Sequence, residues 1–130
     1  MHNPFKPGDK KSFTHTVRSD DTVQFINEKL HPVYSTYAIT REAKWACRLF
    51  VLEMKDEDEE GIGTSVNVIH HSPVNVGGEV TFTGTLVSVI KNEIRCSFEA
   101  HSNGRLIASG ETTQKILKKE KLAQVFNQNQ

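Results

Sequence analysis

Residues 31–47 read HPVYSTYAITREAKWAC, and whether they open a helix decides the fold. Pro32 cannot lie inside a helix, because it lacks an N–H and its ring clashes with the preceding turn. Just beyond it, Ser35 or Thr36 can serve as the cap, since a hydroxyl accepts from the free amides of a first turn. Tyr37, Ala38, Ala43, Ala46, Cys47, Phe50, Val51 and Met54 then recur at three- and four-residue steps, the spacing of one buried helical face. Ala38, Ala43 and Ala46 are small enough to let that face lie close on a sheet. The acidic run at 57–60 opposes the negative end of a helix dipole, so the helix is expected to stop before it.

On both sides of this helix the pattern has a period of two, which is that of a half-buried strand. Upstream, 12–19 alternates Phe13, His15 and Val17 against Thr14, Thr16 and Arg18. Between that strand and the helix, 20–32 shows no clean period and reads as a loop with a short helical turn. Downstream, 63–72 places Val66, Val68 and His70 on one face, with Ser65, Asn67, Ile69 and His71 on the other. Further strands follow, with Val80, Phe82, Gly84 and Leu86, then Ile94, Cys96, Phe98 and Ala100, then Leu106, Ala108 and Gly110 facing inward. Lys91-Asn92 is a short turn, and Asn103-Gly104 is the strongest two-residue hairpin signal. The order is one strand, one long helix, then four strands joined mostly by tight turns. That is an α+β chain with a helix laid on an antiparallel sheet. One domain over 1–130 is expected, with an irregular lead-in at 1–11 and a short basic helix and tail at 118–130.

Composition narrows the partners. The 130 residues hold 16 Lys and Arg against 16 Asp and Glu, a balance that argues against a nucleic-acid footprint spread over the domain. The acidic stretch 53–60 and the basic stretch 114–122 read as solvated surface. Cys47 and Cys96 lack a CxxC spacing and sit in apolar patterns, as buried reduced thiols do. The N-terminus carries no apolar signal region, and no apolar run approaches the ~18 residues a membrane span needs. A cytoplasmic protein without membrane association is expected. No metal-ligand spacing appears, because His70 and His71 are adjacent on a strand and point to opposite faces. Nucleophile-elbow, P-loop and dinucleotide fingerprints are absent as well.

Three stretches resemble the hotdog-fold thioesterases, in the branch typified by fluoroacetyl-CoA thioesterase. They are 31–47, the segment GIGTSVNVIHHSPVNVGGEVTFTGTL at 61–86, and SGETTQKILKKEKL at 109–122. The resemblance covers roughly residues 10–126. It implies an antiparallel sheet wrapped on one long central helix, a homodimer or higher homo-oligomer with active sites at the subunit interface, and hydrolysis of a small or medium acyl-CoA. No cofactor is implied beyond the CoA that forms part of the substrate. The family uses a Thr at the helix start, a Glu two turns later and a His on the following strand. The Thr falls on Thr36, the His on His70, and the Glu position on Lys44.

Thioester hydrolysis needs donors where the oxyanion develops, an attacking group and a base. A helix N-terminus supplies free N–H groups and partial positive charge. Thr36 can cap the helix, or it can present its hydroxyl to the acyl group, preferably to position water or carbonyl. His70 can be a hydrogen-bonded core residue, or the base that orients water. Lys44 lies eight residues beyond Thr36, ~12 Å along a helix axis, as a surface lysine or as a cation near the thioester or the CoA phosphates. Glu42, the nearest acid, is rotated roughly 160° from it and is a poor substitute. Tyr34, Ser35, Tyr37 and Asn67 are the candidate substrate-binding residues, with Arg105, Lys115, Lys118 and Lys119 as cations that could meet CoA. A non-catalytic acyl-CoA-binding protein and an enoyl-CoA hydratase on the same fold are the alternatives.

Overall fold

The computed structural model describes residues 1–25 and 28–128. Strand β1 (Lys10–Thr16) is followed by a 3-10 turn (Ser19–Asp21) and by the short strands β2 (Thr22–Phe25) and β3 (Glu28–Tyr34). Helix α1 (Thr36–Met54) comes next, then β4 (Glu59–His70), β5 (Glu79–Ile90), β6 (Glu93–Ser102), β7 (Arg105–Lys118) and α2 (Lys119–Gln128). Five strands form one antiparallel sheet in the order β1-β5-β6-β7-β4, while β2 and β3 pair separately.

Helix α1 begins where the cap chemistry places it. Ser35 is extended and its Oγ accepts from the Ala38 N–H at 3.0 Å, so Ser35 is the cap and Thr36 the first helical residue. The helix ends at Met54, ahead of the acidic run. Its buried stripe is Ala38, Ile39, Glu42, Ala43, Ala46, Cys47, Phe50, Val51 and Met54. Close approach to the sheet is visible at Gly84, where an added Cβ would lie 3.2 Å from the Ala46 carbonyl oxygen. Across the sheet, Val80, Phe82, Leu86, Ile94, Cys96, Phe98, Ala100, Ala108 and Ile116 complete the core. Both cysteines are buried and unbridged. The β6–β7 hairpin turns on Asn103 (φ 51°) and Gly104 (φ 75°), the left-handed pair that its sequence demands.

Four expectations are corrected. The stretch 20–32 is not a loop: it holds the end of the 3-10 turn, β2 and most of β3, apart from Ile26 and Asn27, which lie outside the described residues. Its pairing carries two register shifts, and a separate two-stranded ribbon needs no single buried face, which is why no period marked it. The irregular lead-in ends at Asp9, because β1 starts at Lys10 and stops at Thr16. On β7, Leu106 is half-exposed while Ile107 and Ala108 are both buried. A register shift between Ala100 and His101 moves the inward phase by one residue there. Tyr37 is 87% exposed rather than on the buried face, since it sits one residue before Ala38 and is turned ~100° away from it. At the C-terminus α2 occupies Lys119–Gln128, and Asn129 and Gln130 lie outside the described residues. Among the described residues no helix is long and apolar enough to cross a membrane.

Candidate active site

The N-terminal end of α1 and the C-terminal end of β4 meet side by side. Thr36 Oγ1 lies 3.0 Å from His70 Nδ1. The other ring nitrogen, Nε2, is 2.9 Å from the Ser72 carbonyl oxygen. A carbonyl can only accept, so in the neutral ring Nε2 carries the proton and Nδ1 presents a lone pair. Thr36 must then donate its hydroxyl proton to Nδ1. The pair is a hydroxyl hydrogen-bonded to a base, and the base is oriented by a third group, as an activated oxygen nucleophile requires.

His70 is where the strand pattern puts it. Val66, Val68 and His70 face Thr112, Gly110 and Ala108 of β7, of which Thr112 and Ala108 are buried under α1. His71 points the other way and bonds Ser109 Oγ at 2.8 Å. Gly110 is the reason β4 can lie so close: a Cβ there would come within 2.0 Å of the Asn67 carbonyl oxygen. Beside Thr36 a cavity of about 440 Å³ is lined by Asp20, Thr22, Val23, Ser35, Thr36 and Tyr37. In the first turn the Ala38 amide is taken by Ser35 Oγ and the Ile39 amide by the Ser35 carbonyl. The Thr36 and Tyr37 amides have no intrahelical acceptor and, among the described residues, no other partner, so they are donors at the positive end of the helix.

The other sequence candidates separate. Ser35 is near the site but its hydroxyl is committed to the cap. Tyr37 lines the cavity mouth. Tyr34 is fully buried and donates to Glu42 Oε2 at 2.6 Å. Asn67 lies on the sheet face away from α1 and accepts from the Glu111 amide at 3.3 Å. Lys44 is not brought to the Thr36–His70 pair within one chain; it lines a second cavity further along α1. Of the possible CoA-binding cations, Lys118 pairs with Asp58 at 2.9 Å and Arg105 donates to the Pro73 carbonyl.

A buried polar cluster went unread in the sequence. Asp21, with no exposure, accepts from the Arg18 amide at 2.8 Å, lies 2.8 Å from His15 Nε2, and accepts from Arg41 at 2.6 Å. Arg41 Nε also donates to Glu42 Oε1 at 2.5 Å, and Tyr34 takes the other Glu42 oxygen. Burial pushes the Asp21 carboxyl up, but the Arg18 amide, Arg41 and His15 outweigh it and hold it at about 2. Burial and the Glu42 hydrogen bond push the Tyr34 hydroxyl above its ordinary value. Thus the turn at 19–21, β1, β3 and α1 are tied together by side-chain hydrogen bonds. One signal for it was present in the sequence: His15 and Glu42 are polar residues on otherwise apolar faces.

Residues 17–120 match the family described as fluoroacetyl-CoA-specific thioesterase, FlK. Among solved structures, a Thermus thermophilus hypothetical protein, described as a thioesterase superfamily member, is 31% identical at a TM-score of 0.91, covering 96% of this chain and 93% of that one. The fluoroacetyl-CoA thioesterase FlK itself superposes at a TM-score of 0.89 with 22% identity, over 98% and 99% of the two chains. A hot-dog-like protein from Thermanaerovibrio acidaminovorans is similar at 0.88 and 22%, over 96% and 93%. No curated protein matches the chain. The fold is therefore hotdog-like, and the molecule falls among thioester-hydrolysing enzymes. Within them, the chain belongs to the fluoroacetyl-CoA-specific thioesterase family.

Proposed function

We propose that this protein hydrolyses a small or medium acyl-CoA thioester at the N-terminal end of α1, with Thr36 and His70 as its catalytic residues. The observation that carries the reading is the 3.0 Å hydrogen bond from the Thr36 hydroxyl to His70 Nδ1. Related FlK structures contain acetyl-CoA in one variant, and fluoroacetate with CoA in another. Nδ1 has one lone pair, and Thr36 occupies it, so water cannot be deprotonated there while Thr36 stays in place. That favours Thr36 Oγ1 as the attacking atom over the positioning role preferred from sequence. The Oγ–carbon bond forms as the hydroxyl proton passes to Nδ1, and the oxyanion is met by the free amides of the first turn. The C–S bond then breaks and the imidazolium returns its proton to the departing CoA thiolate. Water, activated by the freed Nδ1, releases the acid and restores the threonine. No cofactor takes part in these steps.

The chain acts as a homodimer in this reading. The free edges of the sheet are β1 and β4. Strand β1 has seven residues and carries Lys10 and Lys11, whereas β4 has twelve and bears no Asp, Glu, Lys or Arg from Gly61 to His70. An uncharged edge of that length is suited to pairing with a second copy. Two buried free thiols suit a reducing compartment, and the cytoplasm is the location proposed. The test of function is release of free CoA from a panel of acyl-CoAs, followed with a thiol-reactive dye. Turnover by the wild type that Thr36→Ala and His70→Ala abolish supports the reading; tight binding without thiol release in the wild type overturns it.

A further inference from the structure

The Thr36–His70 pair is assembled from two segments distant in sequence, the start of α1 and the chain that leaves β4, and Tyr34 joins them. Its N–H donates to the Val74 carbonyl at 2.8 Å. Tyr34 stands two residues before Thr36, and Val74 two residues after Ser72, whose carbonyl accepts from His70 Nε2. One backbone hydrogen bond thus ties the hydroxyl end of the relay to its carbonyl end. The preceding residue, Val33, forms an antiparallel bridge with Asn75. The segment is also held from β7, where the His71 and Ser72 amides both donate to the Ile107 carbonyl, at 2.7 and 3.2 Å. Pro73 adds to this by disfavouring helical backbone at Ser72.

The Tyr34 side chain is anchored more firmly than packing requires. Its ring is fully buried, 5.8 Å from the His15 ring and edge-on to Phe82 at 6.5 Å. Its hydroxyl donates to Glu42 Oε2 at 2.6 Å, and Arg41 takes the other Glu42 oxygen and reaches Asp21. The Asp21 carbonyl in turn accepts the Ser35 N–H at 2.8 Å. The path closes on itself, from Tyr34 through Glu42, Arg41 and Asp21 to the residue that follows Tyr34. A phenylalanine packed on an apolar residue at 42 would fill the same space, and buried ion pairs add little net stability over such a replacement. What the hydrogen-bonded circuit adds over apolar packing is direction, since a hydrogen bond weakens steeply away from its preferred geometry.

We propose that Tyr34 is a positioning residue of the catalytic pair: its hydroxyl, fixed on Glu42, sets the place of the backbone N–H that holds Val74, and with it the Ser72 carbonyl that orients His70 toward Thr36. The inference rests on the proposed thioesterase reading. The Ser72 carbonyl decides which ring nitrogen carries the proton. With that carbonyl in place, Nε2 is protonated and Nδ1 accepts from Thr36. With it displaced, the tautomer protonated on Nδ1 is no longer disfavoured, and a protonated Nδ1 cannot take the Thr36 proton. Misplacing a catalytic group by about 1 Å can cost on the order of a hundredfold in rate.

The experiment compares wild type, Tyr34→Phe and the double variant Tyr34→Phe/Glu42→Met. Each is followed by hydrolysis of the acyl-CoA that wild type turns over fastest, by thermal unfolding, and by 15N NMR of the histidine ring nitrogens at about pH 8, above the ordinary histidine range. The His70 signals are those missing from the spectrum of His70→Ala. Wild type is expected to show His70 as a single tautomer protonated on Nε2. Tyr34→Phe is expected to lower kcat by about tenfold or more with KM within about twofold, to give a mixture of His70 tautomers, and to lower the melting temperature. The double variant also removes the stranded carboxylate, so it should regain melting temperature but neither the rate nor the single tautomer. A kcat in Tyr34→Phe within about twofold of wild type, a rate that returns with stability in the double variant, or a tautomer that never changes each overturns the proposal, even where hydrolysis and its dependence on Thr36 stand. Absence of hydrolysis from the wild type sinks the thioesterase reading instead, and the tautomer still decides the role of Tyr34.

Discussion

Ser35 and Thr36 are neighbours with hydroxyls of similar chemistry, yet the fold assigns them different work. Ser35 caps α1, whereas Thr36 is inside the helix and spends its proton on His70. The two alanine substitutions should therefore separate stability from activity. Ser35→Ala is expected to lose about 1 kcal/mol of stability, read by denaturant unfolding. Thr36→Ala is expected to leave stability within about 0.5 kcal/mol, as a substitution that removes no cap and places the best helix former in a first turn. Its kcat/KM should fall by roughly a hundredfold or more, the scale of losing a base-activated group. Thr36→Ser keeps the oxygen and should retain part of the activity. Equal losses of stability in both alanine variants would show that Thr36 is structural.

At the level of elements, the cluster of Asp21, His15, Arg41, Glu42 and Tyr34 fastens the turn at 19–21, β1 and β3 to the first turns of α1. Tyr34→Phe deprives buried Glu42 of a donor and should destabilise the fold by about 1–3 kcal/mol. The pH dependence has a definite sign. Asp21 is held at about 2, below the 3.8 of an unperturbed Asp, so it contributes stability above pH 3.8 and loses it as pH falls toward 2. Thermal unfolding of wild type and Asp21→Asn should differ most near neutral pH, and the gap should narrow across that acid window. A gap that stays constant down to pH 2.5 would mean that the Asp21 charge is not what binds these elements. On the far side of the site, Gly110 lets β4 seat against β7. Gly110→Ala drives a methyl into the Asn67 carbonyl oxygen and should cost 3 kcal/mol or more, an order-of-magnitude figure for overpacking against backbone. It should also reduce activity, because His70 ends the displaced strand.

For the whole molecule, the long uncharged edge of β4 is the feature that bears on assembly. Val66 is half-exposed on this strand and Ile69 is 60% exposed. Sedimentation equilibrium is expected to report twice the 14.6 kDa chain mass. Val66→Lys, which places a charge at the edge, should shift that equilibrium toward monomer. A wild type that sediments at the single-chain mass would remove the basis for pairing through β4.

Sequence alone determined the long helix with its buried stripe, the strands after it, the Asn103-Gly104 hairpin and the inward face of His70. Each follows from local periodicity, or from a turn residue whose backbone preference is intrinsic. Periodicity carried no mark of β2 and β3, since a ribbon outside the main sheet has no single face to bury. It also missed the bulge that exposes Leu106, which depends on how one strand registers against another. Only the tertiary structure decided that Thr36 donates to His70, 34 residues away. It alone drew Asp21 and Glu42 into one buried network. Hydrogen bonds between residues distant in sequence depend on the packing of whole elements, and no local spacing encodes which polar group will find a partner there.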